Sequence, residues 1–320
     1  MSNLKKEILS LLDREQFISG QNIADTLGVS RTAIWKTIQS LKEEGYSIES
    51  VTSKGYHLKN PPKYLSPTAL SVLIGQSGLF SNVEYFTTTP STQKEAFRML
   101  SETKDSFMVV AEEQTQGRGR FDRHWDSPGK TGIYISLVLR PNIPITEIIR
   151  FNLFISLAIS KSLDEAFGVD TGIKWPNDIY LDDKKICGFL TEVVSESGVI
   201  NAIICGIGIN IFKDDSRLKI PTATSIEDII GSSEKIDVDS FMERFLDNIE
   251  IYYNRFLNEP FSLIREDWKE KSIIFGKELR ITETGSMFMA RALDINEDGF
   301  LEVLDEEGNI RKIISADIEL

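Results

Sequence analysis

The chain has few of the residues that most often carry chemistry. It holds two cysteines and two histidines in 320 residues. Cys187 and Cys205 make no disulfide framework, and with His57 and His124 they form no cluster at metal-ligand spacing. They read as small core residues in apolar strands, kept reduced. With two histidines a Ser-His-Asp triad has almost no candidates, and no G-x-S-x-G elbow is present. Neither G-x-x-x-x-G-K-[ST] nor G-x-G-x-x-G occurs, which removes the P-loop and the dinucleotide fingerprint. Long apolar runs are missing too. The most apolar stretch, residues 151–159, is far too short to cross a bilayer and is broken by Asn152. The N-terminus leads into an amphipathic run with charges at Asp13, Arg14 and Glu15, which is no signal peptide. These absences point to a cytoplasmic protein with no membrane partner. Repeats and low-complexity segments are also lacking.

Positive charge is in deficit, and unevenly so. The net charge is -13, yet residues 1–60 hold eight Lys and Arg against seven Asp and Glu. The rest of the chain carries 28 against 42. A near-neutral head on an acidic body excludes general polyanion binding while allowing one small domain to touch DNA. The length suits two or three domains, and 41% hydrophobic residues suffice for their cores.

Against that acidic background stands one basic loop, Gln114-Thr-Gln-Gly-Arg-Gly-Arg-Phe-Asp-Arg-His-Trp125. It follows an apolar run and places Arg118, Arg120 and Arg123 within six residues. Gly117 and Gly119 allow a backbone turn with positive φ and close approach to a ligand. Such a turn forms an anion nest, and guanidinium forks match phosphate or carboxylate. Arginine and lysine around an anion suit phosphoryl or nucleotidyl transfer, where charge stabilisation is most of the work.

In chain order, Leu4, Ile8, Leu11 and Leu12 share a helical face. A second helix runs over residues 21–27 to Gly28. A third, over residues 31–44, has Ser30 as N-cap and stops at Gly45. Ile34, Ile38 and Leu41 face the core, which leaves Thr32, Lys36 and Gln39 on the opposite face for base edges or phosphates. Alternation over residues 46–58, with Ser53-Lys-Gly55 at the tip, reads as a β-hairpin wing whose Lys54 can meet a phosphate. The predicted DNA-binding set is Ser30, Arg31, Thr32, Lys36, Gln39 and Lys54. A packing module of the same shape, without DNA, fits the pattern as well. Asn60-Pro-Pro62 ends this domain.

The middle of the chain mixes strands and helices. A strand near residues 83–86 leads through a hydroxyl-rich loop to a helix that Ser91 or Thr92 can cap. Strands at 107–112 and 133–139 flank the arginine loop. A helix over 147–167 is apolar almost all round and reads as buried. Strand-rich residues 172–211 follow, turning at Pro176-Asn-Asp178 and Asp182-Asp183. A further helix over 237–257 carries Phe241, Phe245, Ile249 and Tyr252 at core spacing. From about residue 272, short β-like runs alternate with turns, including Glu283-Thr-Gly285, which suggests a small barrel. The fold class is α+β: a winged helix-turn-helix over residues 1–62, a mixed α/β domain over 63–270 and a small β domain over 271–320.

Four segments carry a family resemblance. Gly117-Arg-Gly-Arg-Phe-Asp-Arg-His-Trp125 fits the GRGRxxRxW signature of biotin–protein ligases. Lys174-Trp-Pro-Asn-Asp178 resembles their KWPND segment, and Lys185-Ile-Cys-Gly-Phe-Leu-Thr-Glu192 their KxxGxLxE segment. Gly206-Ile-Gly-Ile-Asn210 resembles GxGxN, and the four stand in the family's order. With the helix-turn-helix, the chain resembles the bifunctional form, a ligase that is also the biotin operon repressor, over essentially all 320 residues.

That resemblance implies a biotin/lipoate-ligase catalytic fold, an SH3-like C-terminal domain and two chemical steps. ATP, with Mg²⁺ carried on its phosphates and no protein-held metal, activates biotin to biotinyl-5'-AMP. The biotinyl group then passes to a lysine of biotin carboxyl carrier domains, as in acetyl-CoA carboxylase and pyruvate carboxylase. The biotin-binding set is Ser91, Thr92, Gln93, Gln114, Arg118, Gly119, Arg120, Lys185 and Gly188. Gln93 stands where some members have Asn. The nucleotide-binding set is Arg120, Arg123, Trp125, Asn177 and Asn210, and the catalytic set Lys185, Arg118, Arg120 and Asp178. Lys174 is a lesser candidate beside Lys185. Without the motifs, Lys185 reads as a strand-end lysine, Asp178 as a turn former, Trp125 as core and Ser91 and Thr92 as caps. The loop over residues 116–120, rich in glycine, is expected to order over the adenylate. The adenylate then serves as corepressor, promotes a homodimer and sends two winged helices to operator DNA. A biotin sensor without ligase activity and a lipoate–protein ligase are the competing readings.

Overall fold

The structure, a computed structural model, describes residues 2–12, 16–60, 62–214, 220–283 and 286–319. The charges at 13–15, Pro61 of the linker and the turn at Thr284 and Gly285 lie outside the described residues. The chain divides into two compact units. One comprises Met1–Ser77 with Asp237–Glu243, the other Gly78–Ile236 with Arg244–Leu320.

The first unit is a winged helix. Helix α1 (Ser2–Leu11), α2 (Gly20–Leu27) and α3 (Arg31–Glu43) precede the antiparallel wing β1 (Ser47–Val51) and β2 (Gly55–Asn60). Local chemistry sets the boundaries. The Ser19 hydroxyl accepts from Asn22 N, 3.0 Å, to start α2, and Gly28 ends it in the left-handed region at φ 66°. Ser30 caps α3 through Ala33 N at 3.2 Å. Ile8, Ile23, Ile34, Ile38, Leu41 and Ile48 form one buried core. Ile18 joins the wing through two backbone hydrogen bonds to Tyr56, 2.9 and 2.8 Å. A fourth helix, α4 (Pro67–Ile74), was not legible in the sequence. It starts with a Ser66 cap and proline in the first turn.

The second unit is built on a mixed sheet. Its elements are β3 (Asn82–Thr89), α5 (Thr92–Met99), β4 (Phe107–Gln114), β5 (Gly132–Leu139), β6 (Ile143–Pro144), α6 (Ile148–Phe167), β7 (Gly172–Lys174), β8 (Asp178–Leu181), β9 (Lys184–Glu196) and β10 (Val199–Asn210). The order is β3-β4-β5-β10-β9-β8-β7, with β6 beside β10; β3 and β4 are parallel and the other pairs antiparallel. As its composition requires, α6 is buried, and Gly168 closes it in the left-handed region. Helices α7 (Ile226–Ile230), α8 (Val238–Asn258), whose residues through Glu243 belong to the first unit, and α9 (Phe261–Lys271) follow, and α9 packs on α6. The Trp268 indole donates to the Ser156 hydroxyl there, at 2.9 Å in a buried setting. Phe241, Phe245 and Ile249 of α8 are buried as expected, but Tyr253 rather than Tyr252 continues the stripe.

Five antiparallel strands finish the chain: β11 (Glu278–Glu283), β12 (Ser286–Ile295), β13 (Leu301–Asp305), β14 (Ile310–Ile313) and β15 (Asp317–Glu319), in the order β14-β13-β12-β11-β15.

The wing carries a stability prediction. Gly55 sits at φ 107°, and a Cβ there would lie 2.0 Å from the Ile18 carbonyl oxygen. Gly55→Ala is therefore expected to destabilise the winged helix by at least ~1 kcal/mol. A lowered denaturation midpoint, followed by circular dichroism, is the check.

Candidate active site

The four signature segments converge on one cavity of about 250 Å³ in the second unit. Antiparallel pairing brings them together. Asp178 of β8 lies opposite Gly188 of β9, which in turn lies opposite Gly208 of β10. The arginine loop closes over these strands. Its base is the Gln114–Ser127 bridge, and its tip is held by Gly119 N to Arg123 O, 2.8 Å, and Trp125 N to Gly117 O, 3.0 Å.

The glycines of the loop work differently from the expectation. Gly119 is extended at φ -114°, and the positive φ values fall instead on Phe121 and Asp122, both 55°. Gly117 is required by proximity: a Cβ would sit 2.3 Å from the Trp125 carbonyl oxygen. Glycine is likewise forced on β10. A Cβ on Gly208 would lie 2.3 Å from Trp125 Nε1, and one on Gly206 would lie 2.5 Å from Gln93 Cδ. Two residues apart on one strand face, these glycines seat two different walls of the cavity.

One end of the cavity is neutral and polar. Ser91 occupies the N-cap of α5, yet its side chain makes no capping bond, so its predicted role as a cap is corrected. The Gln114 amide caps instead, accepting from Thr92 N at 2.9 Å and Thr92 Oγ1 at 3.1 Å, and donating to Ser127 Oγ at 3.0 Å. Thr92 Oγ1 also accepts from Ser136, 2.8 Å. Gln93, 4% exposed, donates to the Leu190 carbonyl at 2.9 Å.

The other end is cationic, and its charges are matched. Lys185 Nζ is 2.6 Å from Asp178 Oδ1 and 5.3 Å from the centre of the Trp125 ring. Arg118 pairs with Glu192 at 3.2 Å, and Arg123 pairs through both terminal nitrogens with Asp317. Asp317 holds the Arg123 guanidinium above its ordinary pKa, chiefly by hydrogen bonding. Among the described residues, Arg120 alone of these four has neutral partners, Asn177 Oδ1 at 3.2 Å and Ser315 Oγ at 3.0 Å. Burial pulls its pKa down, against the fields of Asp178 and Asp317. Asn177 also donates to Phe189 O, 2.7 Å, and Asn210 to Thr224 O, 3.0 Å. The Trp125 indole N–H is buried without a hydrogen-bond partner among the described residues.

Every residue of the catalytic, biotin-binding and nucleotide-binding sets lines this cavity. Lys174 does not. It is buried against the Tyr180 hydroxyl, 3.3 Å, and desolvation lowers its pKa. Sequence reasoning missed Asp317 and the backbone segment at 220–223, whose Thr222 carbonyl accepts from Lys185 N at 2.8 Å. No motif marks either of them. In the winged helix, Ser30, Arg31, Thr32, Lys36 and Lys54 are exposed and Gln39 is half-buried. Trp35, which the helical-face argument passed over, is 54% exposed on α3.

Comparison with known proteins agrees with this geometry. Residues 83–210 match the biotin/lipoate A/B protein ligase family, residues 5–57 an HTH domain and residues 274–320 the biotin protein ligase C-terminal domain. The "Bifunctional ligase/repressor BirA" of Bacillus subtilis (strain 168) is 37% identical over 328 residues, covering 100% of this chain and 99% of that protein. The chain belongs to the bifunctional ligase/repressor family of biotin–protein ligases. The Escherichia coli (strain K12) relative is 33% identical over 64% of this chain and 62% of its own length. A biotin protein ligase from Aquifex aeolicus, solved with biotin and ATP, superposes with a TM-score of 0.63 at 28% identity, covering 75% of this chain and 98% of that one.

The two cysteines stay outside the chemistry. Both are fully buried on β9 and β10, and desolvation pushes the Cys205 thiol up to about 12 and Cys187 further. Neither should react with a water-soluble disulfide reagent at pH 8 until the protein unfolds, when both should. Thiol titration with and without denaturant tests this.

Proposed function

We propose that this protein joins biotin to ATP in the cavity, transfers the biotinyl group to a lysine of biotin carboxyl carrier domains, and represses biotin genes through its winged helix. The observation that carries the reading is the division of one cavity into a neutral hydrogen-bonding end and a cationic end. A neutral bicyclic urea with a carboxylate tail fits the first and points its charge into the second. Ser91, Thr92, Gln93 and Gln114 hold the ring. Arg118, Gly119, Arg120, Lys185 and Gly188 line the tail and its carboxylate. Arg120, Arg123, Trp125, Asn177 and Asn210 take the nucleotide, with Trp125 offering its face to adenine.

The first step brings two anions together. The biotin carboxylate attacks the α-phosphate, and pyrophosphate leaves. Lys185, drawn from Asp178, bridges the carboxylate and phosphate oxygens and stabilises the charge. Mg²⁺ would arrive on the phosphates of ATP. When bound there it neutralises triphosphate charge. Once Lys185 has moved, Asp178 is free to receive the acceptor lysine as an ammonium and take its proton. The amine then attacks the biotinyl carbonyl and AMP leaves. The arginine loop, ordered over the adenylate, shields the anhydride from water.

For regulation, residues 1–62 act as the DNA-binding domain, 63–270 as the catalytic domain and 271–320 as the C-terminal domain. Biotinyl-5'-AMP is the corepressor and promotes a homodimer, which presents Arg31, Thr32, Lys36, Gln39 and Lys54 to two operator half-sites in the cytoplasm. No described helix is long and apolar enough to cross a membrane.

The test is transfer. With biotin, ATP, Mg²⁺ and a carboxyl carrier domain, the protein should make the carrier bind avidin. Lys185→Ala should slow this by about 100-fold or more. Carrier left unlabelled by the parent protein would refute the ligase. Arg120→Gly should release adenylate and label stray lysines, and adenylate retained as long as in the parent would refute the shielding role.

A further inference from the structure

The last strand of the chain reaches the arginine loop. In Ser315-Ala-Asp-Ile-Glu319, Ala316 and Ile318 are buried at 1% and 3% exposure. Alternation along β15 turns Asp317 away from the buried face that Ile318 takes, and Ser315, in the bend just before the strand, is exposed. Pairing of Asp317 with Thr282 of β11 fixes the strand. On the loop, Arg120 and Arg123 are separated by a single tight turn, closed by Arg123 N to Arg120 O at 3.2 Å. Two rungs join the segments. Arg120 Nη2 donates to Ser315 Oγ at 3.0 Å, and Arg123 donates Nη1 to Asp317 Oδ1 at 3.2 Å and Nη2 to Oδ2. Asp317 itself lines the cavity.

Arg123 needs such a holder. Its side chain is 64% exposed, against 26% for Asp317. A long, solvated side chain loses its rotamer freedom when it grips an anion, and a partner that orders it beforehand removes that penalty. We propose that Asp317 and Ser315 are positioning residues for the nucleotide: Asp317 takes one edge of the Arg123 fork and aims its remaining N–H donors at the phosphates, and Ser315 steadies Arg120. This rests on the nucleotide-binding role proposed above for Arg120 and Arg123.

Biotin-dependent ATP–pyrophosphate exchange by the full-length protein tests it. Asp317→Asn should raise the KM for ATP about fivefold. Its kcat should stay within about twofold, and the KM for biotin should not move. Asp317→Glu should recover part of the loss. In an Arg123→Ala background, Asp317→Asn should add nothing, because both act through one guanidinium. Ser315→Ala, which leaves the backbone and the charge intact, should raise the ATP KM about twofold without shifting the melting temperature. An ATP KM unchanged or lowered by Asp317→Asn, or effects that add to those of Arg123→Ala, would overturn the positioning role. A parent protein with no exchange would instead overturn the ligase reading.

Discussion

Charge matching at the cationic end of the cavity is the constraint on which the site depends. Arg118, Arg120, Arg123 and Lys185 line one small cavity and repel one another. Three of them are held by carboxylates from three different places: Glu192 and Asp178 on β9 and β8, and Asp317 on β15. Such pairs near the surface contribute little to stability on their own. Their value lies in keeping the cations ordered while the cavity holds no anion. Arg120 is the exception, bound by an amide and a hydroxyl. It has no carboxylate to exchange among the described residues, which in the proposed function suits it to be the first contact for an incoming phosphate.

The same pairs imply an order of events. A substrate anion entering the cavity competes with a carboxylate already in place. Each exchange leaves a carboxylate free, and in the proposed mechanism Asp178 is the one beside the reacting centre. Its partner Lys185 occupies the place that an acceptor lysine ammonium would take. Seating the acceptor is thereby linked to drawing Lys185 away, and an anion at the α-phosphate position supplies that pull. In that proposal the charge of the first step prepares the chemistry of the second.

Much of this was legible in the sequence, for physical reasons. Helix boundaries followed from Ser30, Gly28 and Gly168, because caps are local chemistry. The four signature segments all reached the cavity, because each joins an unusual residue density to a strand or turn. What failed was of two kinds. Residue type suggests positive φ and close approach to a ligand at Gly117 and Gly119, whereas the need at Gly117 is space beside Trp125, which only the folded loop reveals. Ser91 or Thr92 suits a helix cap by residue type, but the group that accepts from Thr92 N is the Gln114 amide, from a strand 22 residues beyond Thr92. The Arg123–Asp317 contact spans 194 residues, and no period or spacing encodes a partner at that distance. Lys174 stands in a signature segment yet turns into the protein, toward Tyr180.

Space and charge meet on β10. Gly206 and Gly208 remove side chains where Gln93 and Trp125 must lie flat on the sheet. The first residue belongs to the neutral end and the second to the cationic end. A strand that carried alanine at both positions would push the two walls outward, and the arginine loop, tied to Trp125 through Gly117, would follow. The loop's positions for Arg120 and Arg123 therefore depend on a glycine strand beneath and on a C-terminal strand at its edge. One element supplies room and the other supplies direction. That division is how a loop with so few apolar anchors of its own brings three guanidinium groups to one cavity.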